Sequence, residues 1–567
     1  MRAASSGDSS NELLSEVRWL QWCVDGDDPP LPMTDLHLPN LSVLELSESV
    51  MTEDREGWSL IKMAKRLQVL DLGWCWGLRC TPDLSAVTQL KVLHLYHCAG
   101  LEHLHPSVGK LKSLVSLDLS LCYSLKELPE EVGELKDLEE LLLDNSRITE
   151  IPMSIGSLRK LKKLSARFCE SLREIPSSIG DLQNLQHLDL CGCESLKELP
   201  EEVGELKDLE VLVLDSSGIT KIPTSIGSLR KLETLTASNC ESLREIPNLH
   251  NLQHLDLCGC ESLKELPEEV GELKDLELLL DATGITEIPT SIGSLSKLKK
   301  LSAYSCDLKE LPEEVGELKD LEVLVLDSSG ITKIPTSIGS LRKLETLTAS
   351  NCESLREIPS SIGGLQNLQH LDLGRCSSLK KLPEEVGELK DLEELLLDES
   401  GITEIPTSIG CLLNLQHLNL SPSGLERLPN AISDLSSLQR LDLLCYEIQG
   451  SENLKFLEGI FIYDCNSIER LLCPKSGCLK ELRVIACNNL VEIRGLDSAK
   501  FLEKPDFRGC ESMETLPNLT RCEKLRSLNV RDCKKLTQLW GLEKLNLIYL
   551  NISGCDSLEA IPKISGI

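Results

Sequence analysis

Cysteine, histidine and paired carboxylates are the residue types in this chain that could carry chemistry, and their spacing decides what chemistry is open to them. The tightest cysteine pairs are Cys191 with Cys193 and Cys258 with Cys260, each around a glycine. On a strand, successive residues alternate faces, so the first thiol of each pair points out and the second points in. Such a pair cannot readily share an ion, and the sequence holds no C-x-x-C pair to supply a thiolate site. Cys98, Cys122, Cys169, Cys240, Cys306, Cys352 and Cys376 recur at one position of a repeated phrase, where a small buried group is expected. His187, His254, His370 and His417 all stand in NLQHL[DN]L, which reads as scaffold. His94, His97, His103 and His105 are close in sequence but spread over a strand and the loop after it. A surface role for His94 and His97 with Tyr96 suits that spread better than a shared metal.

The carboxylates come in two series. Asp118, Asp189, Asp256 and Asp372 lie between two leucines, and Asp144, Asp215, Asp281, Asp327 and Asp398 lie just after a leucine pair. Equivalent members are mostly three repeats apart, or roughly 14 Å at the usual strand spacing. That is too far for a shared calcium ion or for an acid and base flanking one bond. An acidic face in contact with water is the simpler reading. No catalytic residue, cofactor or metal is therefore expected.

All these residues belong to repeats. LKELPEEVGELKDLE, or a one-residue variant, begins at Leu125, Leu196, Leu263, Leu308 and Leu379, and a phrase like GITEIPTSIGSLRKL follows. The pattern L-x-x-L-x-L-x-x-[C/S] returns about every 23 residues, giving about 24 repeats from Val17 onward, within the range of the leucine-rich type. In LDL or LEL the two leucines share the inner face of a short strand, and the residue between them faces out. The PEEVGELKDL and PTSIGSLRKL segments suit a short helical or 3₁₀ turn with Pro at its first position. A single unit cannot bury its leucines, so its neighbours must cover both faces. The expected fold is an α/β leucine-rich-repeat solenoid, a curved horseshoe with a long parallel concave sheet and short helical or 3₁₀ turns on the convex side. Four segments are expected: a polar N-terminal tail (1–16), N-terminal repeats (17–124), near-identical duplicated repeats (125–445) and irregular C-terminal repeats (446–567). Two irregularities stand out. The repeat from Leu232 to Leu252 is only 20 residues long, and LEELLLD becomes LELLLD at Leu276–Asp281, where a strand distortion is expected.

Acidic residues outnumber basic ones 91 to 59, giving a net charge of −32, which argues against nucleic acid and favours a basic partner. The N-terminus lacks an apolar signal region and no 18-residue uncharged apolar run occurs, so neither secretion nor membrane insertion is expected. The 24 cysteines then read as reduced thiols.

LPxxIGxLxxLxxLxLxxC resembles the leucine-rich region of plant intracellular immune receptors, most closely the Toll/interleukin-receptor class of nucleotide-binding leucine-rich receptors. SEVRWLQW (Ser15–Trp22) with LPNLSVLELSES, and then WSLIKMAKRLQVLDLGWC and LRCTPDLSAVTQLKVLHLYHC, look like the opening repeats of that class. The resemblance runs from about Val17 onward. It implies a non-catalytic cytoplasmic module, with the nucleus as the alternative compartment. Its partner would be a pathogen effector or a guarded host protein on the concave face, and it could restrain a basic nucleotide-binding domain in trans. The chain departs from the family in lacking a signalling domain and any G-x-x-x-x-G-K-[ST] phosphate loop. LEAIPKISGI also ends inside a repeat with no polar cap, which suggests truncation or a covering partner. The alternative is an intracellular scaffold like the Ras-associated leucine-rich proteins, which share LPxxIGxL but not the SEVRWLQW opening.

Binding energy concentrates in aromatics and Arg, and here these cluster toward the two ends of the array. Trp74, His94 and Tyr96 are expected to project from the early concave strands. Phe461, Tyr463, Arg483, Arg508, Arg531 and Tyr549 are expected to do so from the late ones. The monotonous acidic middle reads as spacer.

Overall fold

The computed structural model describes residues 16–21, 38–47, 58–249, 252–273, 277–421, 425, 429–443, 454, 456–466, 468–473, 476–543 and 545–561. The chain divides into two compact units, Met1–Gly284 and Ile285–Ile567. Both are built from the same step. Most described repeats contribute a short strand of about three residues, a tight turn, an extended descent and often a five-residue 3₁₀ turn, while at Asp506 the strand is reduced to isolated bridges.

The strands are parallel and paired in one register. In the first unit the central leucines align in a row, Leu20 with Leu44, Leu70, Leu93, Leu117 and onward to Leu255 and Leu278. In the second unit the row runs from Leu301 through Leu324, Leu347, Leu371, Leu395, Leu418 and Leu441 to Ile460 and Leu482. The period of two along a strand explains the choice. Leu70 and Leu72 are fully buried while Asp71 between them is partly exposed. The leucine that starts each repeat, such as Leu67 or Leu138, is fully buried as well, so each layer seals the one before it.

The turns opposite the strands are 3₁₀, as at Glu130–Glu134 and Met153–Ser157. Proline was expected at the first helical position. In most of these turns it stands one place earlier, as the residue before the helix, with Pro129 extended at φ −70° and ψ 149°. The reason is a hydrogen bond: the Pro129 carbonyl accepts from the Val132 N–H at 3.0 Å, and this closes the turn. Gly133 sits where neighbouring turns nearly touch. A Cβ there would lie 2.4 Å from the Ser154 carbonyl oxygen.

Both irregularities leave the strands undisturbed. After the 20-residue repeat, Leu255 still pairs with Leu235, and Leu249 is buried in the shortened descent. The missing residue near Leu276 does not distort the strand as expected. Glu277–Leu279 pairs in step with His254–Asp256, and Leu278 and Leu280 are fully buried. Burial on both sides of the ladder fixes the register; residues 274–276, just before this strand, lie outside the described residues. In the second unit the strands Gly459–Tyr463 and Glu481–Ile485 lengthen to five residues. A separate pair, Arg470–Leu472 with Glu492–Arg494, forms there too. Residues 1–15 of the polar tail (1–16), and the last residues, 562–567, lie outside the described residues.

Candidate recognition surface

The outward face of each unit is made of residues that leave the strand or follow it, and the turn there has a constant geometry. The residue just before the ladder cysteine or serine takes a left-handed backbone, as at Asn145, Asn239, Asn351, Gly192 and Gly259. Gly and Asn suit that conformation. An aspartate helps to set it. Asp71 accepts from the Gly73 N–H at 2.8 Å, Asp118 from Ser120 at 2.9 Å and Asp372 from Gly374 at 2.9 Å, each two residues on.

The second carboxylate series links one repeat to the next. Asp144 Oδ1 accepts from Ser165 Oγ at 2.6 Å and from the Arg167 N–H at 2.9 Å. Asp215 takes Thr236 Oγ1 at 2.8 Å and both the N–H and hydroxyl of Ser238 at 2.7 and 2.9 Å. Asp327 does the same for Thr348 and the Ser350 N–H. These carboxylates are struts between layers, each spent on donors 21 to 23 residues away in sequence.

The cysteines form a ladder of their own. The thiols of Cys98, Cys169, Cys240 and Cys533 donate to the carbonyls of Leu72, Leu143, Leu214 and Phe507, all at 3.1 Å. Burial pushes Cys122, Cys260 and Cys376 up to about 12. Cys193 and Cys260 point in and bond to Ala166 and Ala237 carbonyls, while Cys191 and Cys258 stand on the outer side of the same turns. Among the described residues, no group of three or more His, Cys, Asp or Glu is placed to hold a metal ion.

Three of the expected partner-binding residues come together in the first unit. Trp74 lies in the left-handed position at φ 62°, where its ring stacks on His97 at 3.7 Å between centroids. His97, itself left-handed, meets Tyr123 edge-on, and the His94 and Tyr96 rings are T-shaped at 6.4 Å. His94 Nδ1 is 3.8 Å from Asp71 Oδ2, and the interaction with that carboxylate raises the His94 pKa above its usual value despite partial burial. Tyr123 is a part of this patch that the sequence reading did not single out.

In the second unit, Phe461 lies on the outward face but is nearly covered, with only 6% exposed. The Arg440 guanidinium sits 4.5 Å over its ring and that of Arg483 at 5.2 Å, so a partner meets arginine before it meets the arene. Arg440 is held by Asp442, to which His417 Nε2 also hydrogen-bonds at 2.8 Å. Tyr463 is half-buried, two residues along the strand from Phe461. Arg483, Arg508 and Arg531 are exposed, paired with Glu481, Asp506 and Asp532. Tyr549 opens the last strand, 51% exposed.

The middle of the first unit holds a cavity of about 460 Å³ on the outward face, in repeats that sequence alone assigns to spacer. Asp144, Lys163, Arg167, His187, Asp189 and Asp215 contribute to its walls. The sequence does carry a signal for it. Residues 165–169 read SARFC, whereas the matching segments at 236–240 and 348–352 read TASNC. Comparing copies within the chain picks out Arg167 and Phe168.

Stacked parallel strands, a buried leucine row and an outward face of inter-repeat struts define a repeat solenoid that offers a broad binding surface. The chain belongs to the leucine-rich-repeat family: the profile of the leucine-rich repeat region matches residues 75–196, 177–262, 237–324, 301–398 and 381–565. Disease resistance protein RPP4 of Arabidopsis thaliana is 41% identical over 90 residues, which is 16% of this chain and 8% of that protein. Disease resistance-like protein CSA1 of the same plant is 31% identical over 184 residues, 28% of this chain and 14% of that protein. The matched part is thus a small fraction of either relative. Among solved structures, the Leptospira interrogans leucine-rich-repeat protein LIC12759 superposes with a TM-score of 0.52 at 29% identity, over 76% of this chain and 97% of that one. The plant peptide hormone receptor RGFR1, solved with RGF2, gives 0.50 at 22% identity, over 91% and 90%, a likeness of fold alone. Among the described residues no helix is long and apolar enough to cross a membrane.

Proposed function

We propose that the chain is a non-catalytic protein-recognition module of plant innate immunity, which binds a pathogen effector or a guarded host protein through the outward face of its sheet. The observation that carries this reading is the similarity to disease resistance proteins, 41% over 90 residues with RPP4. In finer detail, we read the module as the sensor part of a receptor of the Toll/interleukin-receptor class, acting in the cytoplasm or nucleus and able to restrain a basic nucleotide-binding domain. A charge of −32 supports that last choice of partner. The face offers two groups of anchors, Trp74, His94 and Tyr96 in one unit, and Phe461, Tyr463, Arg483, Arg508, Arg531 and Tyr549 in the other. Their side chains depart from the Asp, Ser and Thr struts that fill the repeats between them.

The test is a pull-down from plant extract, with and without pathogen challenge, using the whole chain and a Tyr463→Ala, Arg483→Ala double variant. The expected catch is a nucleotide-binding receptor or a pathogen effector, weakened roughly 5- to 30-fold in the variant if these are hot-spot residues. Capture of a small GTPase or phosphatase instead would favour a signalling scaffold. Unchanged capture by a folded variant would remove the late strands from the site.

A further inference from the structure

We infer that the outward face of the first four strands is a docking surface for a basic amphipathic helix of a partner protein. It rests on reading the outward sheet face as a protein-recognition surface. The strands Trp19–Gln21, Val43–Glu45, Val69–Asp71 and Val92–His94 pair in step, and each buries its central leucine more than the residues on either side. The flanking residues therefore form two rows across the face. One row is apolar: Trp19, 63% exposed, then Val43, Val69 and Val92, all half-buried. The other is Gln21, Glu45, Asp71 and His94, and the next strand, Ser116–Asp118, extends it with Asp118. The apolar row ends at Val92, with Ser116, Glu140, Lys163 and His187 following in the same register.

Charge on the second row is one-sided. Glu45 and Asp71 are direct neighbours in register, and like charges so placed repel. Asp71 Oδ1 accepts from the Gly73 N–H at 2.8 Å, while its Oδ2 has His94 Nδ1 at 3.8 Å, too long for a hydrogen bond. Asp118 likewise uses Oδ1 for the Ser120 N–H, at 2.9 Å. None of the five strands carries Lys or Arg. Arg18 and Lys91 stand at the margin, but each comes before the apolar row, on the side away from the carboxylates. His94 registers the resulting field: Asp71 first, then Asp118 and Glu140, raise its pKa against the opposing effect of burial. A partner's Lys or Arg would find carboxylate oxygens here, with apolar residues two positions back along the same strands.

Spacing selects a helix as the occupant. Neighbouring strands lie about 4.8 Å apart, so the four members of a row span about 14 Å. Residues on one face of a helix advance about 5.4 Å per turn, and four of them span about 16 Å. Four same-face residues of an extended strand laid the same way would span about 20 Å and lose step with the row. The two rows stand two residues apart along each strand, or about 6.6 Å, which suits apolar and basic stripes running side by side along one helix. Aromatic rings border the acidic row. Tyr96 covers Gly73, where a Cβ would collide with its ring, and Trp74 stacks on His97. An arginine reaching past Asp71 would meet ring faces, which attract cations.

The experiment uses the whole chain and two peptides of about 18 residues, long enough to form a helix, each carrying a neutral dye. Both contain only Leu and Lys in equal numbers, one with Leu at helical spacing and one scrambled so that no apolar stripe forms. Affinity is followed by anisotropy in 0.15 M salt at neutral pH. The amphipathic peptide is expected to bind at least fivefold more tightly than the scrambled one. Glu45→Gln with Asp71→Asn is expected to weaken it at least fivefold, and Trp19→Ala at least threefold, with thermal stability unchanged. Glu202→Gln with Glu205→Gln removes the same charge from the 3₁₀ turn Glu201–Glu205, opposite the strands, and is expected to change affinity less than twofold. Equal binding of the two peptides, no measurable binding of either, equal losses in the two double variants, or unchanged affinity in Trp19→Ala would overturn the inference. So would dimerisation of the peptide-free chain that Trp19→Ala abolishes, since it would assign the face to a second copy. The immune reading is decided separately, by the identity of the proteins captured from plant extract.

Discussion

Asp215 and His94 show what single residues on the outward face contribute. Asp215 satisfies three donors from the following repeat, and removing it leaves them without that partner. Asp215→Ala is expected to cost about 1–3 kcal/mol, read from denaturant unfolding of the whole chain; a loss below a few tenths would mean the strut is decorative. His94 carries a pH dependence whose sign is fixed by Asp71. Its folded pKa is raised, so the pairing adds stability below the ordinary histidine value and loses it as pH rises through the folded value. Titration of the His94 ring by NMR should give a value above that of a free histidine, and Asp71→Asn should bring it down. A His94 value insensitive to that change would assign the shift to other groups.

At the scale of the element, the 3₁₀ turn and the strand answer to different constraints. At Gly133 the turns pack so closely that a Cβ has no room. Gly133→Ala would push its Cβ to 2.4 Å from the Ser154 oxygen and 2.5 Å from its Cβ, and is expected to cost about 1–3 kcal/mol. Gly477→Ala, with nothing within 4 Å, is the matched control and should stay near zero. Equal effects at the two sites would show that the turns give way freely. The strands were legible in advance, because a period of two with buried leucines admits one register. The turns were less so. Proline stands one residue before its expected place, because its carbonyl, rather than its fixed φ, closes the turn. The strand at Glu277–Leu279 keeps its register despite the lost residue, since a shift would have exposed Leu278 and Leu280.

For the whole molecule the governing quantity is charge. Pairs such as Lys160–Asp137, Lys231–Asp208 and Lys343–Asp320 are short, at 2.7–2.8 Å, but exposed, and exposed pairs contribute little. The excess of acidic over basic residues, 91 against 59, repels itself throughout the chain. Raising salt from 10 to 150 mM at neutral pH screens both effects. Repulsion is expected to dominate, so the melting temperature should rise by a few degrees. A fall would show that the ion pairs outweigh the net charge.

The sequence by itself determined the repeat, its length, the buried leucine row and the cysteine ladder. Each of these follows from a periodicity that one chain can show alone. Only the tertiary structure decided what the polar residues do. Asp144, Asp189 and Asp215 fall in two sequence series that both read as an acidic face. Asp144 and Asp215 bind donors that the next layer brings alongside, 21 to 23 residues further on, whereas Asp189 accepts from Cys191 in its own turn and faces Arg167 of the layer before. The same stacking places Arg167 over Asp189, lays Arg440 and Arg483 across Phe461, and leaves a cavity in repeats that read as spacer. Contacts made between layers have no period within a layer, which is why the sequence could not show them.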